Sequence, residues 1–204
     1  MGAGILPTTI YNNKIYFLFG KENKYEDSAE GYSDFGGGTD NKETYFNTAI
    51  REGEEELTGF LGSSSDIKKM LKKHGTYNID YKSDPKFATY RMHIFPIEYN
   101  PFLSHYYNNN QRFLQKRLDQ NVIKKSKIFE KEEIKWVCID DILKMRKKFR
   151  SYFQNIVDII LDKREEITHF ITKNLKHTIS KTKYKPKSKT KSKSKTKKNK
   201  SSSM

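Results

Sequence analysis

Cysteine is nearly missing from this chain. Cys138 stands alone among 204 residues, which excludes an intramolecular disulfide and suits a reducing compartment. No run approaches the roughly eighteen apolar residues that a membrane-spanning helix needs. The opening residues MGAGILP have neither the basic start nor the long apolar run of a secretory signal. Leu6 stands where an N-myristoylation signal requires Ser or Thr. These absences lead to the expectation of an intracellular protein, cytoplasmic or nuclear, with no membrane partner.

Acidic residues are missing from one end. Lys173 to Met204 holds thirteen lysines and no Asp or Glu, so most of the net charge of +15 belongs there. Residues 1–172 carry 27 basic and 25 acidic side chains, a balance of +2. Lysine alternating with Ser or Thr buries too little apolar surface to fold. A disordered tail over 173–204 is therefore expected behind one globular domain over 1–172. Tail lysines such as Lys183, Lys185, Lys187, Lys189 and Lys191 would hold RNA phosphates without reading sequence. Lysine runs also serve as nuclear localisation signals, acidic-partner contacts and solubilising appendages.

What remains is patterned. Residues 3–20 read as two strands around a turn at Asn12-Asn13. Polar residues 21–34 predict a loop, and Gly36-Gly37-Gly38 read on their own as a flexible one. From Glu43 to Leu57 the period is helical, with Phe46, Ala49, Ile50 and Leu57 on one face and Asp40 or Asn41 as the cap. A short amphipathic helix is expected over 66–74, and a strand over Phe87–Tyr99 edged by Pro96. Residues 101–128, rich in aromatic, Asn and basic residues, read as an insertion or a helix exposed near the site. Glu130–Ile139 alternates as a strand; helices follow from Asp140 and over Tyr152–Phe170.

Chemistry concentrates in one place. Glu52, Glu55 and Glu56 stand at i, i+3 and i+4, so a helix puts all three on one face. Like charges at that spacing repel, and a divalent cation with carboxylate oxygen ligands removes the repulsion. The five histidines show no pair at metal-ligand spacing, and His93 within a strand reads as packed. Cys138 reads as core.

The stretch Gly37–Gly59, GGTDNKETYFNTAIREGEEELTG, resembles the signature box of the Nudix hydrolase family. Gly37 and Glu43 take its first two fixed positions, Arg51-Glu52 follow, and Glu55-Glu56 complete the acidic set. Gly53 replaces an apolar residue inside the helix, at about 1 kcal/mol of helix propensity. Thr58 stands where the family has Gly. The resemblance implies an α/β/α sandwich with a mixed β-sheet and hydrolysis of a nucleoside diphosphate linked to another moiety. It implies Mg²⁺ or Mn²⁺ as cofactor, neutralising the diphosphate and activating water. Glu55 and Glu56 would be the principal metal ligands, with Glu52 as a further ligand or partner of bound water and the Gly37 carbonyl contributing. Arg51 would orient the glutamates and Glu43 would be structural. The general base falls outside the box in many members; Glu130, six residues before Trp136, is the first candidate, then Glu133 and Glu98.

Several substrates fit this reading. They are a damaged nucleoside triphosphate, a dinucleoside polyphosphate, a nucleotide sugar, or the 5′ cap of an RNA directed to the enzyme by the lysine tail. A diphosphoinositol polyphosphate is a further alternative. From a different class comes a non-catalytic nucleic-acid-binding module on the same fold, against which the three intact glutamates argue.

Overall fold

A computed structural model describes residues 1–24, 30–40, 42–86, 89–126 and 130–182, the side chains of 176–182 excepted. Strands β1 (Gly2–Tyr11) and β2 (Lys14–Glu22) form a hairpin whose turn is Asn12-Asn13. Both asparagines have positive φ, 48° and 60°, as the tight primed turn between twisted strands demands. β3 (Tyr32–Ser33) pairs with β2, and β4 (Phe35–Gly38) pairs antiparallel with β1. β5 (Tyr77–Tyr81) is antiparallel to β6 (Tyr90–Pro96), which runs parallel to β1. β7 (Lys131–Cys138) is antiparallel to β2. One mixed seven-stranded sheet results, ordered β3-β2-β1-β6-β5, with β4 on β1 and β7 on β2.

Helices cover both faces of this sheet. α1 (Tyr45–Glu56), α2 (Ser64–His74) and α3 (Pro101–Arg117) lie on one face, sharing a core with Ala3, Ile5, Leu18, Phe95 and Ile134. The short α4 (Gln120–Lys125) follows, and α5 (Ile139–Ile142) runs into a 3₁₀ helix, Leu143–Lys148. α6 (Phe153–Asp162) and α7 (Arg164–Thr182) cover the opposite face, against Leu6, Phe17, Phe19, Met92 and Ile94. Neighbouring strand residues such as Leu18 and Phe19 thus enter opposite cores, as the two-residue period of a strand requires. The expected α/β/α sandwich with a mixed sheet is what the chain forms.

Several local expectations change. Gly36-Gly37-Gly38 are strand, not loop: they pair with Gly4, Ala3 and Gly2, and a Cβ on Gly36 would lie 2.4 Å from the Gly4 Cα. Thr44 caps α1, accepting a hydrogen bond from the Asn47 N–H at 3.2 Å; Asp40 does not, and Asn41 lies outside the described residues. Residues 101–117 are one helix because Asn100 caps it and Pro101 occupies its first position. The helical run after Tyr152 breaks at Lys163. α7 continues to Thr182, past the expected start of the tail at Lys173, because Ile167 and Ile171 anchor it in the core. Lys183, Lys185, Lys187, Lys189 and Lys191 lie outside the described residues. Among the described residues no helix is long and apolar enough to cross a membrane.

Candidate active site

α1 is held tightly against the sheet, and that fixes where its glutamates point. Gly53 lies over β1, where a Cβ would come 2.3 Å from the Ile5 Cδ1. The residue that costs helix propensity is therefore what lets helix and strand approach. The far end of α1 stops on Thr58, whose φ of 48° is left-handed, with Gly59 at 75°. Their N–H groups donate to the Glu55 and Glu54 carbonyls at 3.0 and 3.1 Å.

Glu52 and Glu56 are buried on the sheet side of α1 and meet Glu130 at the start of β7. One carboxylate oxygen from each lies within 4.8 Å of the other two. Gly37 lies against this group: a Cβ there would sit 2.6 Å from the Glu52 Oε1. The Gly36 N–H donates to the Glu56 Oε2 at 2.8 Å. The triple glycine lets the β4 backbone approach the carboxylates closely.

Arg51 lies at the rim. Its Nη1 is 2.8 Å from the Glu52 Oε1 and 3.2 Å from the Glu55 Oε2. Its Nη2 donates to the Gly38 carbonyl at 3.0 Å and to the Glu43 Oε2 at 3.1 Å. One guanidinium thus ties three glutamates to the end of β4. The Arg51 hydrogen bonds hold the Glu43 carboxyl below the usual carboxylate range, and Glu43 also accepts from the Thr48 hydroxyl at 3.0 Å. Glu43 is structural. Glu55 stands apart from the Glu52–Glu56–Glu130 group: it is more exposed and turned toward Arg51. The two other candidates for a base do not join the group. Glu133 accepts a hydrogen bond from the Tyr32 hydroxyl, and Glu98 is exposed.

Behind the glutamates lies a buried polar network that sequence reasoning missed. Lys131 is fully buried. Its ammonium pairs with Glu22, lies 3.2 Å from the Glu56 Oε1, and donates to the Ser33 hydroxyl at 3.0 Å. Burial opposes its charge, but Glu56 and Glu22 together raise its pKa. Burial pushes Glu56 well above the usual carboxylate range, against the pull of Lys131. The Arg150 Nη1 donates to the Glu22 Oε1 at 2.7 Å. Asp34, also buried, accepts from the Tyr90 hydroxyl at 2.8 Å, and burial raises its carboxyl to about 7. Lysines are rarely buried unless paired, so nothing in the sequence marked Lys131. Its partners come from β2, β3 and α1.

Gly31 positions Arg150. At φ 125° it lets residues 148–150 cross so closely that a Cβ would lie 2.7 Å from the Arg150 N. The Arg150 N–H donates to the Tyr32 carbonyl at 3.0 Å. Arg150 and Tyr152, with Tyr90 and Gly36 to Gly38, line an open cleft of about 390 Å³. Glycine backbone, a guanidinium and aromatic rings along one cleft suit an anionic substrate with a planar group.

The donor set fits a divalent ion. Glu52, Glu56 and Glu130 offer only carboxylate oxygens, the ligands that hard cations take. Lys131 and Arg51 lie beside this group, each shared with further carboxylates, Glu22 for one and Glu43 and Glu55 for the other.

No protein-family model matches the chain, and no curated protein does. Solved structures do. One is a Nudix hydrolase from M. smegmatis, RenU: 12% identical, TM-score 0.43, covering 88% of this chain and 86% of that one. Another is the NUDIX domain of Shewanella oneidensis NrtR in complex with ADP ribose: 11% identical, TM-score 0.43, covering 81% and 85%. A third is a C. elegans Ap4A hydrolase: 19% identical, TM-score 0.39, covering 86% and 97%. The chain is similar in structure to Nudix proteins, the family whose box Gly37–Gly59 resembles.

Proposed function

We propose that this protein is a metal-dependent Nudix pyrophosphohydrolase that cleaves a diphosphate linkage in a nucleotide-type substrate. The observation that carries this reading is the convergence of Glu52, Glu56 and Glu130 beside the β4 glycines. Glu52, Glu56 and Glu130 would hold Mg²⁺ or Mn²⁺, which when bound neutralises diphosphate charge and lowers the pKa of water. Arg51 fixes the Glu52 and Glu55 carboxylates. Lys131 and the Gly36 N–H hold Glu56 in place from behind. Arg150, which lines the cleft beside the β4 glycines, would meet a substrate phosphate there. Glu130, less buried than its two partners, would accept a proton from the attacking water through the oxygen that does not hold the metal.

Within this class a free nucleotide derivative and a capped RNA both remain substrates to be tried. The thirteen lysines of 173–204 favour a polyanionic RNA, which they would bind in a salt-dependent way.

The test is turnover with Mg²⁺ or Mn²⁺ on a panel: a nucleoside triphosphate, ADP-ribose, a dinucleoside polyphosphate, capped RNA and a diphosphoinositol polyphosphate. Glu56→Gln and Glu130→Gln should each lower turnover roughly 100-fold or more. Calorimetry with Mn²⁺ alone should show weaker binding to Glu56→Gln. Turnover that survives in Glu56→Gln would sink the metal-site assignment. No turnover on any diphosphate, with RNA binding intact, would assign the chain to the binding-module class.

A further inference from the structure

α3 shows solvent a face that packing does not require. Its inner side is satisfied: Leu103, Tyr107 and Gln111 are buried. The Tyr107 hydroxyl donates to the Glu56 carbonyl at 2.8 Å and to the Lys131 carbonyl at 3.1 Å. On the outer side Phe102, Tyr106 and Phe113 are 59, 60 and 58% exposed. They stand at i, i+4 and i+11, one stripe of a helix. The Phe102 and Tyr106 rings lie 6.1 Å apart at 35°, and the Arg117 guanidinium lies 5.8 Å from the Phe113 ring.

Charge on this helix has one sign. Residues 99–118 contain no Asp or Glu, whereas Arg112, Lys116 and Arg117 are exposed around Phe113. Three open rings interleaved with cations suit a polymer that carries planar bases and phosphates together. A second copy of the same face would bring cations against cations, which opposes self-association. A duplex keeps its bases stacked away from side chains, so the rings favour a single strand.

We propose that the outer face of α3 binds single-stranded nucleic acid. Bases stack on Phe102, Tyr106 and Phe113, and phosphates are held by Arg112, Lys116 and Arg117. This site draws on none of the lysines after Thr182 and is independent of the hydrolytic reading. Because Tyr107 fastens α3 to the end of α1 and the start of β7, a bound strand would lie about one helix diameter, ~10 Å, from the carboxylates.

Fluorescence anisotropy of the full chain tests this, with a labelled oligouridine of about twelve nucleotides and a hairpin duplex. Salt of about 0.3 M suppresses contacts made by lysines alone. Phe102→Ala/Tyr106→Ala/Phe113→Ala should weaken single-strand binding by roughly 100-fold and leave duplex binding unchanged. Phe102→Tyr/Phe113→Tyr, which keeps the rings, should bind as the parent does, and circular dichroism should match in all three proteins. Unchanged single-strand affinity in the alanine variant would overturn the proposal, as would equal loss on the duplex. A parent dimer in sedimentation that the alanine variant abolishes would give this face to a second copy instead. Neither arm reads turnover, so a failed hydrolase assay leaves the outcome intact.

Discussion

The Lys131 ammonium lies 3.2 Å from the Glu56 Oε1 in a region closed to solvent. It pairs with both Glu56 and Glu22, but Glu22 also has Arg150 at 2.7 Å, so its removal leaves the buried Glu56 carboxylate without its cation. Lys131→Met should therefore cost about 3–5 kcal/mol of stability. Adding Glu56→Gln removes the stranded charge and should recover part of the loss. Urea unfolding of the single and double variants measures both, and equal stability of the two would contradict the shared-cation account.

Gly53→Ala should also destabilise, although alanine is the better helix former by about 1 kcal/mol. The new Cβ would sit 2.3 Å from the Ile5 Cδ1 and 2.9 Å from its Cγ1, on a side chain that is fully buried. Overpacking of this kind costs about 1–3 kcal/mol and outweighs the propensity gain. Ile5→Val deletes the Cδ1, so Gly53→Ala in that background should cost less. Additive effects in thermal unfolding would remove this explanation for the glycine.

Thr58→Gly should stabilise. A β-branched residue at φ 48° is strained by about 1–2 kcal/mol, and the Thr58 hydroxyl oxygen is buried without a hydrogen-bond partner. The greater freedom of glycine in the unfolded chain returns about 0.5–1 kcal/mol of that. A net gain of about 0.5–1 kcal/mol should appear as a higher Tm, with the hydrogen bonds to Glu54 and Glu55 kept.

His93 should make stability fall in mild acid. Burial and the nearby Arg91 lower its imidazole to about 4, Asp80 pulling the other way. In the unfolded chain it titrates near 6.5. Between these values the unfolded state binds the extra proton, so stability is lost as pH falls from about 6.5 toward 4. Each pH unit in that window removes up to about 1.4 kcal/mol. His93→Gln should flatten this part of the stability profile, and parallel profiles for the two proteins would contradict it.

What could be read from the sequence was whatever lies at fixed spacing on one element. Glu52 and Glu56 share a helix face, and one turn of α1 brings them together whatever surrounds it. Glu130 was legible from its place ahead of Trp136 in a recognisable strand. Glu55 has the same helical credentials, yet Arg51 turns it to the rim, which depends on where Gly38 and Glu43 lie. Lys131, Arg150 and Asp34 were illegible because each takes its meaning from partners far along the chain. The glycines of β4 read as a loop because the sequence shows their freedom and not the β1 backbone and carboxylates that fill the space beside them.

The crossing at Gly31 has a consequence for how the molecule divides its labour. Residues 148–150 leave the 3₁₀ helix, lie against Tyr32, and deliver Arg150 to Glu22 before α6 begins. The helices on the far face of the sheet therefore do more than shield a hydrophobic surface. They anchor a strap that carries a counter-charge through to the acidic side. A chain cut before Phe149 would lose a large part of one core and, in the same stroke, unbalance the electrostatics of the other side.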